Sequence, residues 1–246
     1  MTRLTSCPDA ETVAVRAAGH IARQLNRARD ERGVAHLALS GGTTPSRTYE
    51  LLAATPGALA DLELWFADER CVGPEDPQSN YLLAAETLLA GGAIPPERVH
   101  RMRGEEGPHE GARLYTQELL RLLVGGDGQA SDPPELPVLD VIVLGIGPDG
   151  HVASLFPGAA TLDAGERAVC LGVEDSPKPP PERITLSLAV LRAARECVLL
   201  ATGASKADAV AAMLGEPSRH VPASLLRRER LTVIADDAAA PGAPGA

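Results

Sequence analysis

Aromatic residues are nearly missing from this chain: one Trp, three Tyr and two Phe in 246 residues. So few rings exclude a surface that reads bases or sugars by stacking, a mode that spends an aromatic side chain on each ring it holds. Positive charge is also short. The net charge is −10, which removes the basic face that nucleic acid or an anionic membrane needs. An anionic small molecule would have to be held by a local basic cluster against the overall field. Lysine is scarcer still, two of 23 basic residues, Lys178 and Lys206, and both fall in segments singled out below on other grounds. No apolar run is long enough to span a membrane, and Asp9, Glu11 and Arg16 stand where a signal peptide would be apolar. Cys7, Cys71, Cys170 and Cys197 are far apart and lack metal-ligand spacing. A reduced, cytoplasmic protein without structural metal is the expectation.

What is present is alternation of apolar strands and amphipathic helices. The length suits one α/β domain, expected over residues 1–237, with an Ala/Pro/Gly tail over 238–246 expected to be disordered. A helix is predicted over Asp9–Glu31, with Val13, Ala17, Ile21 and Leu25 on one face. Strands are predicted over 35–39, 62–66, 138–144, 168–173, 197–201 and 231–235. Further helices are expected over 46–54, 81–89 and 110–123, and from Gly203 to Leu214. The Gly/Pro/Asp-rich stretch 125–137 reads as a surface connection. Strand, helix, strand in this rhythm implies a mainly parallel sheet with helices on both faces.

The run GIGPDGHVASLFPG, residues 145–158, follows an apolar strand and breaks into Gly145, Gly147, Asp149, Gly150 and His151. Such a segment places backbone N–H groups and an imidazole at a strand's carboxyl end, where open α/β sheets bind ligands. Gly145, Gly147 and Gly150 also match the dinucleotide pattern G-x-G-x-x-G, with Glu174 about 24 residues further on. Pro157-Gly158, however, stops any helix begun at His151 within two turns, and the fingerprint requires a sizeable one.

A second glycine turn, Ser40-Gly41-Gly42-Thr43-Thr44-Pro45, closes the strand over 35–39. Its N–H groups can converge, the hydroxyls of Ser40, Thr43 and Thr44 add donors, and Pro45 is expected at the first helical position. A helix N-terminus in that place suits a phosphate. The absence of Gly-Lys-Ser/Thr excludes a nucleoside triphosphate loop. The third element is Asp68-Glu69-Arg70, again at a strand end, followed by Asp76, Ser79 and Asn80. Arg70 there is either a solvated ion pair or a group that grips an anion. Asp149 suits orienting the His151 imidazole. Ser154 lacks the glycines of G-x-S-x-G, so a histidine that activates water fits better than a covalent serine.

Taken together, SGGTTP (40–45), ADER with a downstream DPQSNY (67–81), LGIGPDGHVASLFPG (144–158), PERITLS (181–187) and TGASKADAV (202–210) resemble the 6-phosphogluconolactonase family. The related glucosamine-6-phosphate deaminases share the phosphate turn and the Asp-Gly-His core. They carry an aromatic where this chain has Arg70 and an acid-bearing run where it has SLFPG. The resemblance implies a Rossmann-like α/β fold and hydrolysis of 6-phospho-D-glucono-1,5-lactone to 6-phosphogluconate in the oxidative pentose phosphate pathway, with no metal or organic cofactor. His151 is then the general base, Asp149 its orienting group, and Arg70 a holder of either phosphate or oxyanion. Phosphate rests on Gly41, Gly42 and Thr43, beside Ser40, with charge from Lys206 and from Arg183 or Lys178. The expected partner is a small sugar phosphate, with no nucleic acid or membrane, and the chain is expected to be a monomer or a weak homo-oligomer. A sugar-phosphate isomerase/deaminase would want a further acid in the His151 loop, and a non-catalytic sensor would want an output module. The sequence contains neither.

Overall fold

The computed structural model describes residues 2–125 and 135–240. The chain opens with strand β1 (Arg3–Cys7) and helix α1 (Ala10–Arg32). Asp9 caps α1 by accepting from the Thr12 N–H at 2.7 Å, and Gly33, at φ +78°, ends it in the left-handed conformation that favours glycine. Then follow β2 (Ala35–Leu39), α2 (Thr43–Ala53), β3 (Leu62–Phe66), β4 (Asp68–Arg70), α3 (Asn80–Glu86) and α4 (Pro108–Leu123). The second half supplies β5 (Val141–Gly145), β6 (Cys170–Val173), β7 (Arg183–Leu186), α5 (Leu188–Ala193), β8 (Glu196–Ala201), α6 (Ala207–Leu214) and β9 (Leu231–Asp236).

Six strands form one parallel sheet in the order β1-β9-β8-β5-β2-β3, with helices around it, as the Rossmann-like expectation requires. β5 and β8 are Val- and Leu-rich and buried, as strands covered on both faces must be. The chain runs outward from β2 to β3, then returns past β2 to lay down β5 on its other side. That reversal opens a crevice at the carboxyl ends of β2 and β5, the place where such sheets bind ligands. Both glycine turns leave from those two strand ends.

A second sheet is antiparallel, in the order β4-β7-β6. It corrects the sequence reading in two ways. The strand expected over 168–173 is shorter and lies outside the main sheet, and PERITLS contributes the unforeseen β7 and the cap of α5. The polar β1 was also unforeseen. It is an edge strand, paired only to β9, so it needs no run of apolar residues. Helix α2 begins at Thr43, so Pro45 is the third helical residue rather than the first, still within the turn whose N–H groups have no intrahelical partner. No helix follows Gly150, which removes the dinucleotide reading.

The rare aromatics are spent on the core. Trp65, Phe66, Tyr49 and Tyr115 are fully buried, and Tyr115 donates to Phe66 C=O and accepts from its N–H. The packed chain reaches Ala240: Ala239 and Ala240 are buried, and the Ala239 N–H donates to Asp236 Oδ1. Residues 241–246 of the expected tail, and 126–134 of the expected connection, lie outside the described residues. The four cysteines are free thiols. Among the described residues no helix is long and apolar enough to cross a membrane.

Candidate functional site

After β5 the chain folds back on itself. The Gly150 N–H donates to Gly147 C=O, and the Gly147 N–H donates to His151 C=O, each at 2.9 Å. This small ring brings the side chains of Asp149 and His151 over Gly147. A Cβ at Gly147 would lie 1.9 Å from His151 Nδ1 and 2.3 Å from Asp149 Oδ1, so the pair fills the space a side chain would take. Gly150 is needed for a different reason, its φ of +81°.

His151 Nδ1 lies 2.6 Å from Asp149 Oδ1. An ionised carboxylate only accepts, so the proton between them belongs to Nδ1 and the lone pair to Nε2. Burial pushes the imidazole below its ordinary value; Asp149 pulls the other way and Lys178 adds to the fall. Burial also raises the Asp149 carboxyl, but the hydrogen bond and charge of His151, with Lys178, outweigh it and hold it below the usual range. The result at neutral pH is an uncharged imidazole against a carboxylate, the arrangement of a general base. The ring packs on Phe156, with centroids 4.7 Å apart.

The turn after β2 is pinned from beneath. Tyr49, on α2, donates its hydroxyl to Ser40 C=O at 2.7 Å and accepts from the Ser40 N–H at 3.2 Å. Asn80 presses on the turn so closely that a Cβ at Gly41 would meet its Oδ1 at 1.8 Å. Gly42, at φ +105°, precedes α2 without a side-chain cap, so the first N–H groups of an 11-residue helix stay available. The Ser40 hydroxyl oxygen is buried and has no hydrogen-bond partner among the described residues. Thr44 Oγ1, 3.1 Å from Thr202 Oγ1, ties the turn to the end of β8.

Asp68, Glu69 and Arg70 play three different parts. Glu69 is buried and accepts from the N–H groups of Arg70, Asn80 and Tyr81 and from Ser79 Oγ, which fixes the start of α3. Burial raises its carboxyl in spite of those donors. Asp68 accepts from Ser154 Oγ at 2.8 Å and from Asn80 Nδ2 at 3.2 Å. Arg70 donates from Nη1 to Gln78 C=O at 2.6 Å, while its buried Nε has no partner among the described residues.

These parts converge on a cavity of about 220 Å³. Ser40, Gly41, Gly42, Thr43, Arg70, His151, Lys178, Arg183 and Lys206 all line it, and so does Asp68. Asp149 does not; it stands behind the imidazole. Arg183 is the expected phosphate ligand with least freedom. Its Nε donates to Pro180 C=O, and its Nη2 donates to the carbonyls of Lys178 and Pro179. Burial, with Asp68 opposing, lowers its guanidinium, and burial with the Lys178 charge lowers the Lys206 ammonium.

Residues 8–235 match the family described as glucosamine-6-phosphate isomerases/6-phosphogluconolactonase. The chain belongs to this family. A 6-phosphogluconolactonase from Streptomyces coelicolor is 40% identical to it, across 96% of this chain and 92% of that protein. The human 6-phosphogluconolactonase is 38% identical, across 83% of this chain and 79% of that protein. Among solved structures, the 6-phosphogluconolactonase from Leishmania guyanensis superposes with a TM-score of 0.85 at 30% identity, over the whole of both chains.

In this member of the family, sequence reasoning missed the layer beneath the cavity. In the sequence Asp68 reads only as a neighbour of Arg70, and Ser154 only as a serine without a nucleophile's glycines. Their hydrogen bond spans 86 residues of sequence. The one local signal was Asn80, which follows Asp68 at the spacing that lets a helix start reach back to a strand end.

Proposed function

We propose that the chain hydrolyses 6-phospho-D-glucono-1,5-lactone to 6-phospho-D-gluconate, the lactone-opening step of the oxidative pentose phosphate pathway. The observation that carries this reading is His151, 2.6 Å from Asp149, in one cavity with a helix N-terminus and a basic wall. The names of the relatives support the same reaction.

In this mechanism Nε2 of His151 takes a proton from water as the water oxygen bonds to the lactone carbonyl carbon. Asp149 stabilises the imidazolium that forms. The carbonyl oxygen becomes an oxyanion. As the tetrahedral intermediate collapses, the bond from carbon to ring oxygen breaks and His151 returns its proton to that oxygen, giving a free hydroxyl and a carboxylic acid. Phosphate rests on the N–H groups of Gly41, Gly42 and Thr43, beside the Ser40 hydroxyl, with Lys206 as counter-charge. Lys178 and Arg183 add positive field. Arg70 offers the unpartnered Nε as a charge-assisted donor to a substrate oxygen. Held in one orientation, a lactone needs little more than a base and a fixed water. The run from Ser154 to Gly158 supplies no acid, which disfavours an aldose–ketose proton shuttle on this scaffold. We place the reaction in the cytoplasm, on a monomer or a weak homo-oligomer.

The test generates the lactone in situ with glucose-6-phosphate dehydrogenase and follows its decay. Wild type should remove it far faster than buffer, and His151→Ala should lose about 10²–10⁴-fold of that rate. No acceleration by wild type would overturn the assignment and make glucosamine-6-phosphate the next substrate to try.

A further inference from the structure

Lys178 is built into the dyad rather than left free to follow a ligand. Its backbone is held on both sides: the Lys178 N–H donates to Ser176 Oγ, and its C=O accepts from Ser176 Oγ and from Arg183 Nη2. Three prolines follow it, and the Ser176 N–H closes the turn on Pro181 C=O at 3.0 Å. From this anchored position Lys178 Nζ lies 3.3 Å from Asp149 Oδ1 and 3.2 Å from His151 Nδ1. Arg183, which clamps the lysine's carbonyl, stands over the Phe156 ring at 5.7 Å, the ring on which His151 packs. The contacts therefore close a circuit from His151 through Phe156, Arg183 and the Lys178 backbone to the Lys178 ammonium and back.

Within that circuit the ammonium has one acceptor, Asp149 Oδ1. Nδ1 already carries the proton given to Asp149, so the 3.2 Å approach to it sets a cation beside an N–H. We propose that Lys178 is a positioning residue for the Asp149–His151 pair, fixing the carboxylate and opposing the charged imidazole, rather than a ligand of the substrate's phosphate. The other charges that act on His151 are Asp149 on its own loop and Asp68 on β4, and Arg70 on β4, Arg183 on β7 and Lys206 before α6 line the same cavity. Among these, Lys178 is the cation in contact with both members of the pair. Its influence on His151 is in the direction this role demands.

The experiment follows the His151 imidazole by NMR titration in wild type, Lys178→Gln and Lys178→Arg, and measures inorganic phosphate binding to each. The resonance is assigned by its loss in His151→Asn. No lactone is turned over, so the result stands or falls independently of the proposed reaction. In Lys178→Gln the titration midpoint should rise by about half a pH unit, phosphate affinity should change less than threefold, and Lys178→Arg should restore most of the midpoint. A midpoint that does not move would overturn the proposal. So would a tenfold or larger loss of phosphate affinity, which would make Lys178 a ligand of the anion.

Discussion

Gly147→Ala should disable the site without unfolding the protein, and the structure sets the size of the effect. The new methyl carbon would sit 1.9 Å from His151 Nδ1 and 2.3 Å from Asp149 Oδ1, whereas ordinary contact begins at 3.4 Å. The imidazole must therefore retreat by about 1.5 Å and the carboxylate by about 1 Å, or the loop must open; a misplacement of about 1 Å costs on the order of 10²-fold in rate. Gly147 is not among the glycines with positive φ, so alanine meets no backbone strain there and the damage is confined to the pair. The assay is kcat/KM for lactone hydrolysis beside the thermal midpoint. The expected outcome is a loss of about 10²-fold or more, with most of it in kcat, and a midpoint within a few degrees of wild type. An alanine variant within fivefold of wild type would show that the 2.6 Å pairing of His151 with Asp149 does not set the rate, and would refute the reasoning.

Three further outcomes follow from the same geometry. Because burial lowers His151, the base is already neutral at its ordinary value; kcat/KM should stay level through pH 7 and fall only as pH drops through that lowered value, so an acid limb centred above about 6.5 would contradict it. Glu69→Gln replaces an all-acceptor carboxylate with a group that sets its own N–H against buried donors, and should cost about 2–4 kcal/mol in urea unfolding. His100 is held between Glu63 and Glu118 at 2.8 Å each; burial pushes its imidazole down, but the two carboxylates outweigh it and hold it above its ordinary value. A raised histidine stabilises the fold fully below its unfolded value and loses that contribution as pH rises through its folded one. The midpoint gap between wild type and His100→Gln should therefore be widest near pH 5.5 and narrow towards pH 9, over any constant offset from the lost stack on Trp65.

The parts of the molecule legible in the sequence are those whose causes are local. Helix α1 is legible because Val13, Ala17, Ile21 and Leu25 recur at helical spacing within the segment itself. The turns at Ser40–Pro45 and Gly145–His151 show themselves through their glycines, Gly42 and Gly150 required by positive φ and Gly41 and Gly147 by close side chains. What was illegible depends on partners distant in the chain. Nothing near Arg183 says that its guanidinium will be spent on the carbonyls of Lys178, Pro179 and Pro180, and an arginine in a proline-rich loop reads equally well as an anion ligand. Ser154 shows neither a nucleophile's surroundings nor a cap's, because its partner Asp68 arrives from the other half of the chain. The small sheet was hidden for a related reason: β4 is three residues long, and its pairing to β7 leaves no periodicity to detect.

The charge balance explains why that hidden layer matters. The chain carries −10 overall, yet four cations, Arg70, Lys178, Arg183 and Lys206, share the cavity wall with one carboxylate, Asp68. A free carboxylate there would compete with an anionic substrate for those cations. Asp68 instead takes hydrogen bonds from Ser154 and Asn80, and Asp149 sits behind His151, with its charge turned to the imidazole and Lys178. Each acid at the cavity is thus given partners of its own; Lys178 is engaged by Asp149, and Arg70, Arg183 and Lys206 are left to supply the positive field of the proposed site. That local field acts at contact distance, whereas the influence of distant surface acids is screened by salt over about 8–10 Å. Under the proposed reaction, a protein this acidic would hold a phosphorylated sugar in this cavity because the acids beside it are given partners of their own.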